Sequence, residues 1–327
     1  METFENAPEL ALEWHRAGRG AALATVVETW GSAPRRVGAQ LVIAGDGEMQ
    51  GSVSGGCVEG AVVLEAQDAL SKGAARVLEY GVSDDDAFAV GLACGGTIRV
   101  LVEPVGAALP EEILAQIVNA RAARAPLAYV VNPATGARHV TTDGHAERFR
   151  ADRSGFEEDG QTFVHIQAAP LRLAIVGAVH IAQALVPMAR IAGFDPVIID
   201  PRGAFGSDAR FPGETLLEDW PDEALQGYGL DARTALVLLT HDPKLDDPAL
   251  HIALRSAAFY IGALGSKRTH AKRVARLQDA GFSAEEIARI HAPIGLDLGA
   301  ASPQEIAVSV LAEILSVLRG RNLGAHA

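Results

Sequence analysis

The chain has 327 residues, 49% hydrophobic and 21% charged, a composition that excludes a disordered or fibrous protein and leaves length for two domains. Its 41 acidic and 28 basic side chains give a formal net charge of -13, which argues against nucleic-acid or anionic-membrane partners, since both need a basic face. With 2 cysteines, no signal-peptide pattern and no apolar run near the roughly 20 residues that span a bilayer, a reduced, cytoplasmic protein is expected.

From Ala21 to about Val105, short β-rich runs alternate with glycine turns. AALATVVET and AQLVIAG read as strands, separated by the loop WGSAPRRVG with Pro34 and the adjacent Arg35 and Arg36. SVSGGCVEG follows, carrying Ser54, the pair Gly55 and Gly56, then Cys57 and Glu59. Beyond Cys57, VEGAVVLEAQDALSKG has apolar residues at helical spacing and Gly73 placed to stop the helix. ARVLEYGV and TIRVLVEPV read as strands around the acidic loop SDDDAF, and GLACGGT sets the second cysteine, Cys94, ahead of Gly95 and Gly96. A helix over PEEILAQIVNARAAR comes next, then polar, hairpin-like sequence from about Leu127 to Gln167.

At AAPLRLAIVGAVH the pattern changes. LRLAIVG, DPVIID, TALVLLT and AAFYIG are short, nearly continuous apolar runs, as buried parallel strands read. Helical segments between them make a βαβ series. The predicted fold is α/β: a mixed α/β domain over 1–168, then a Rossmann-like, doubly wound parallel sheet over 169–327. Ser302 with Glu305 and Ser283 with Glu286 read as capping boxes, with Pro303 at a first helical position and Gly320 at a stop. Pro187 predicts a kink or an early end in its helix.

LAIVGAVHIAQAL has the strand-to-helix context of a dinucleotide fingerprint, in degraded form. Gly177 holds the first glycine position, Val179 the second and Ala182 the third, and a valine obstructs the backbone's approach to a pyrophosphate. Asp200 ends the next strand, where a ribose-binding acid stands; the alternative is that Gly177 only makes a tight turn and Asp200 caps DPRGAF. His241 and Asp242 lie just past the carboxyl end of a strand, a place for ligands or simply a turn. Gly262, Gly265, Ser266, Lys267 and Arg268 follow another strand, where N–H groups at a helix start beside two cations suit an anion. Losing one or two charge-assisted hydrogen bonds of roughly 1.5–3 kcal/mol each predicts dinucleotide affinity about tenfold or more below that of an intact fingerprint.

Glycine pairs admit backbone that other residues cannot adopt, and successive N–H groups can form a concavity for an anion. Cys57 at a helix start lies where the dipole favours a thiolate. A soft thiolate beside a phosphate cradle, with Arg35 and Arg36 adding charge, would suit a compound carrying a phosphate and a sulfur-bound metal. The competing reading is a pair of small cysteines buried like apolar residues.

ATVVETWGSAPRRVGAQLVI, GSVSGGCVEGAV, GLACGGTIRVLVEP, VGAVHIAQAL, VIIDPR, LTHDPKLDDPAL, YIGALGSKRTH and HAPIGLDLGAASPQEIAVSVLAEI together resemble the XdhC/CoxI family, in order from about residue 20 to residue 316. That resemblance implies a maturation factor for molybdenum hydroxylases such as xanthine dehydrogenase and carbon monoxide dehydrogenase. Such a factor binds the molybdenum cofactor (molybdopterin), supports its sulfuration with a cysteine desulfurase and helps deliver it to the apo-enzyme. By position it implies cofactor contacts over Ser54–Glu59 and Gly91–Gly96, with Cys57 and Cys94 as molybdenum or sulfur-transfer contacts. On the Rossmann-like side it implies Gly177, His180 and Asp200, with GAVH standing where the family pattern reads GAGH. The expectation is a non-catalytic chaperone, a homodimer, with both cysteine loops facing one cleft at the second domain's strand ends. Its rivals are an NAD(P)-dependent oxidoreductase and a scaffold joining desulfurase to hydroxylase.

Overall fold

The computed structural model describes residues 6–31, 35–81, 96–203 and 205–320. Cys94 and Gly95 lie outside them, so the expected pairing of the two cysteine loops does too. The chain divides into two compact units, one up to Ala169 and one from Pro170 onward.

In the first unit, β1 (Ala21–Trp30), β2 (Gln40–Ala44), β3 (Met49–Gly51), β4 (Arg76–Tyr80) and β5 (Thr97–Pro104) form an antiparallel sheet in the order β3-β2-β1-β5-β4. Strand period sorts the buried residues onto its two faces. Ala22, Ala24 and Val26 pack with Val62, Ala66 and Ala69 of α2 (Glu59–Lys72), which ends at left-handed Gly73 as expected. Leu23 and Val27 instead face α1 (Ala7–Arg16) and α3 (Glu111–Ala122). The hairpin-like stretch is a second antiparallel sheet. Its strands are β6 (Leu127–Val131), β7 (Arg138–Thr141), β8 (Gly155–Phe156) and β9 (Phe163–Gln167), ordered β7-β6-β9-β8, with a short α4 (Ala146–Ala151).

The second unit is a parallel sheet ordered β12-β11-β10-β13-β14-β15. Its strands are β10 (Leu171–Val176), β11 (Phe194–Ile199), β12 (Thr215–Leu217), β13 (Thr234–Leu238), β14 (Tyr260–Ala263) and β15 (Ile290–His291). The order reverses between β10 and β13, which makes the carboxyl end of β10 the topological switch point of a Rossmann-like sheet. One face is covered by α5 (His180–Ile191) and α10 (Pro303–Leu318). The other carries α6 (Pro221–Tyr228), α7 (Pro243–Ala253), α8 (Lys267–Asp279) and α9 (Ala284–Ile287). Both capping boxes form, at Ser283 and at Ser302. Pro187 does not end its helix early. Its ring lies on the exposed face, while Leu185, Val186 and Ala189 anchor the turns around it. Among the described residues, no helix is long and apolar enough to cross a membrane.

Candidate functional site

In the first unit, Cys57 sits between two left-handed glycines, Gly55 (φ +77) and Gly56 (φ +110), and Val58, the residue that caps α2. Glu59 opens that helix and turns its carboxylate back over the loop. Oε1 accepts from Ser52 Oγ (2.7 Å), Val53 N (3.1 Å) and Ser54 N (2.9 Å). Oε2 accepts from Gly56 N (2.9 Å) and from the Ser54 hydroxyl. Ser54 Oγ in turn accepts from Cys57 N (3.0 Å) and Val58 N (2.9 Å), and Ser52 Oγ accepts from Gly55 N (2.9 Å). Every backbone donor from Val53 to Val58 is therefore engaged within the loop. Burial pushes the Glu59 carboxyl up, but the Ser54 and Ser52 hydroxyls and the backbone N–H groups outweigh it and hold the group down at about 2.

The concavity expected to receive a phosphate is thus filled by the chain's own carboxylate. Local N–H groups take the nearest anion, and Glu59 is tethered a few residues away. A Cβ on Gly56 would meet open space, so this glycine serves backbone conformation and not close approach. What the loop presents outward is Cys57, a free thiol that is exposed, which rules out apolar burial for this cysteine. Arg35 donates from Nε to Ser52 O (3.3 Å) and joins the loop. Arg36 does not, because its guanidinium pairs with Asp152 (3.3 Å). Gly96 is buried just ahead of β5.

In the second unit, Gly177 makes the tight turn after β10 at φ +109, and a Cβ there would come within 2.6 Å of Thr240 Cγ2. Val179 caps α5 in extended backbone at φ -93, which any residue adopts, and its side chain packs half-buried against the core. Ala182 is fully buried, so the close helix-to-strand contact of the third fingerprint position is kept. His180, the first residue of α5, is exposed. Asp200 is 2% exposed and committed: it accepts from Ala178 N (2.8 Å), Arg202 N (3.0 Å), Arg202 Nε (2.8 Å) and Arg202 Nη2 (2.8 Å). The capping alternative describes it, and a ribose would have to displace an ion pair. Burial raises the Asp200 carboxyl, yet Arg202 and the two N–H donors bring it below its ordinary value.

At the neighbouring strand ends, exposed His241 adopts φ +62, and a Cβ on Gly265 would lie 3.6 Å from its Nδ1, so these two predicted residues do come together. Ser266 caps α8 by accepting from Thr269 N (3.2 Å), while Lys267 is exposed. Beneath them lies a pair that sequence reasoning missed. Arg273 donates from Nη2 to Asp246 Oδ2 (3.2 Å) and to Leu264 O (3.0 Å), and both side chains are nearly inaccessible, at 1% and 2%. Burial raises the Asp246 carboxyl above its ordinary value, against the pull of Thr240 and Arg273. A signal existed: Asp246 falls among Leu245, Ala249 and Leu250 on the apolar stripe of α7, and Arg273 lies one turn before Leu277. No group of three or more His, Cys, Asp or Glu side chains that could hold a metal occurs among the described residues.

Residues 14–81 match the model of the XdhC and CoxI family, and residues 173–314 match that of the XdhC Rossmann domain. The chain is 34% identical over 307 residues to the molybdenum cofactor insertion chaperone PaoD of Escherichia coli (strain K12), covering 94% of this chain and 86% of that one. It is 26% identical over 311 residues to a probable xanthine dehydrogenase subunit of Bacillus subtilis (strain 168), covering 90% and 92%. A crystal structure described as a xanthine dehydrogenase from Bacillus halodurans superposes with a TM-score of 0.74 at 27% identity, covering 98% of this chain and 97% of that one. By its two matched halves and its near full-length relatives, the chain belongs to the XdhC and CoxI family.

Proposed function

We propose that this protein is a non-catalytic chaperone that carries the molybdenum cofactor as cargo to a molybdenum hydroxylase apo-enzyme. The observation that carries the reading is the Ser52–Glu59 loop, where every backbone donor from Val53 to Val58 is engaged internally and Cys57 alone is offered outward as an exposed thiol. A soft sulfur suits a thiophilic metal. The insertion chaperone to which the chain is 34% identical supports the same role. Receipt of sulfur from a cysteine desulfurase, and service to a xanthine or carbon monoxide dehydrogenase type of enzyme, belong to this reading as its finer parts. Nothing favours a dehydrogenase, because the Asp200 carboxylate that a ribose needs is held by Arg202.

Cargo retention tests it. Protein purified from cells that make the cofactor is oxidised, and the released pterin is measured by fluorescence. Wild type should carry the pterin and Cys57→Ala should lose most of it. Wild-type protein free of pterin, or a Cys57→Ala variant that retains it fully, would overturn the reading.

A further inference from the structure

Between α7 and α8 lies a pocket of about 240 Å³, several times the roughly 30 Å³ that one water takes in the liquid. Its lining is cationic: Arg268, Lys272, Arg273 and Arg276, with His241 beside them and Asp246 as its carboxylate. Arg276 is neutralised by a two-point bond to Asp247 (2.5 and 2.9 Å), and Arg273 by its one contact with Asp246. Arg268 and Lys272 have no ion-pair partner among the described residues and are exposed at the pocket. The second observation is independent of the charge count. The Arg273 side chain is 99% buried, yet its Nε and Nη1 find no acceptor among the described residues. Both atoms are shielded from solvent, so an oxyanion in the pocket would feel the guanidinium's charge through the pocket wall, with the exposed Arg268 and Lys272 supplying the direct contacts. Two further unpaired cations beside it exceed what a single carboxylate would balance and match a dianion.

We propose that the α7–α8 pocket binds a phosphate dianion, free or as a phosphomonoester, through Arg268 and Lys272, with the buried charge of Arg273 behind them. This site is separate from the fingerprint turn at Gly177 and from the N–H groups at the start of α8, where the Ser266 hydroxyl already takes Thr269 N. It also stands apart from the cargo reading, since inorganic phosphate alone is the probe.

The test is calorimetric titration of the full chain with inorganic phosphate at constant ionic strength. Saturable binding is expected, weakened about tenfold or more when Arg268→Gln and Lys272→Gln remove two charge-assisted contacts, and competed by sulfate but not by acetate. Both exposed substitutions leave the Asp246–Arg273 pair in place, so folding is preserved and checked by thermal melting. Methyl phosphate separates the two sources. Binding as tight as that of inorganic phosphate indicates a site for a phosphate attached to a larger molecule, and much weaker binding indicates free phosphate. Absence of saturable heat, or a double variant that binds phosphate like wild type, would overturn the proposal.

Discussion

Gly55-Gly56 ahead of α2 and Gly177 ahead of α5 are glycine turns that open helices, and both were candidate anion cradles. In each, an acid from the chain itself takes part of the backbone donors: Glu59 those of Val53, Ser54 and Gly56 at the first, Asp200 that of Ala178 at the second. They differ in what remains outward. At the first, the carboxylate bonds only to hydroxyl and N–H donors, and an exposed thiol crowns the loop. At the second, Arg202 closes the carboxylate off. A third place, the start of α8, reverses the charge: a serine hydroxyl caps the helix, and an arginine below has donors without acceptors. A glycine turn thus says that backbone is special, whereas the tethered acid decides whether it is open to a ligand.

The largest expected effect tests the reversed case. Asp246→Ala leaves Arg273 charged and buried without its carboxylate, and should cost about 3–5 kcal/mol in chemical denaturation. A loss under about 1 kcal/mol would mean that water or a bound anion already satisfies Arg273, sharpening the phosphate proposal.

Glu59→Gln comes next, at roughly 2–3 kcal/mol, because five donors lose a charged acceptor. Its pH signature is specific. Glu59 is depressed from 4.5 to about 2, so the unfolded chain takes up the proton first as pH falls. The stabilisation is fully present above 4.5 and fades between 4.5 and about 2, and the difference between wild type and variant should shrink across that window. A constant difference down to about pH 2 would show that the loop is not organised by this charge.

Gly177→Ala should cost about 2 kcal/mol, from a left-handed backbone at φ +109 and a Cβ 2.6 Å from Thr240 Cγ2. Thermal melting reads this directly, and an unchanged melting temperature would mean that the turn relaxes freely. Smallest is Val179→Gly. The sequence predicted a gain of about tenfold or more in dinucleotide affinity, but the extended φ of -93 and the committed Asp200 reduce this to less than about tenfold by NAD titration. A larger gain would show that Val179 alone blocks the turn and that Arg202 yields easily.

Several features were legible because they are local. Strand and helix periods placed the runs over β10, β11, β13 and β14, and paired Ser and Glu residues gave both capping boxes. Gly73 stopped α2, and Gly177 turned the chain after β10. Of the two outcomes read for Pro187, the early helix end does not occur, since lost helical bonding on an exposed face was outweighed by burial on the other.

By itself, the sequence determined two compositionally distinct halves, a parallel sheet in the second, and two glycine turns with an acid nearby. Spacing of apolar and turn residues carries that information along the chain. Only the tertiary structure decided where each side chain's charge goes: Glu59 back into its own loop, Asp200 onto Arg202, Arg36 onto Asp152, and Arg273 beneath a pocket on Asp246. The reason is geometric. A charged side chain of several rotatable bonds reaches donors from residues far apart in sequence, and which of them it meets is fixed only when sheets and helices pack.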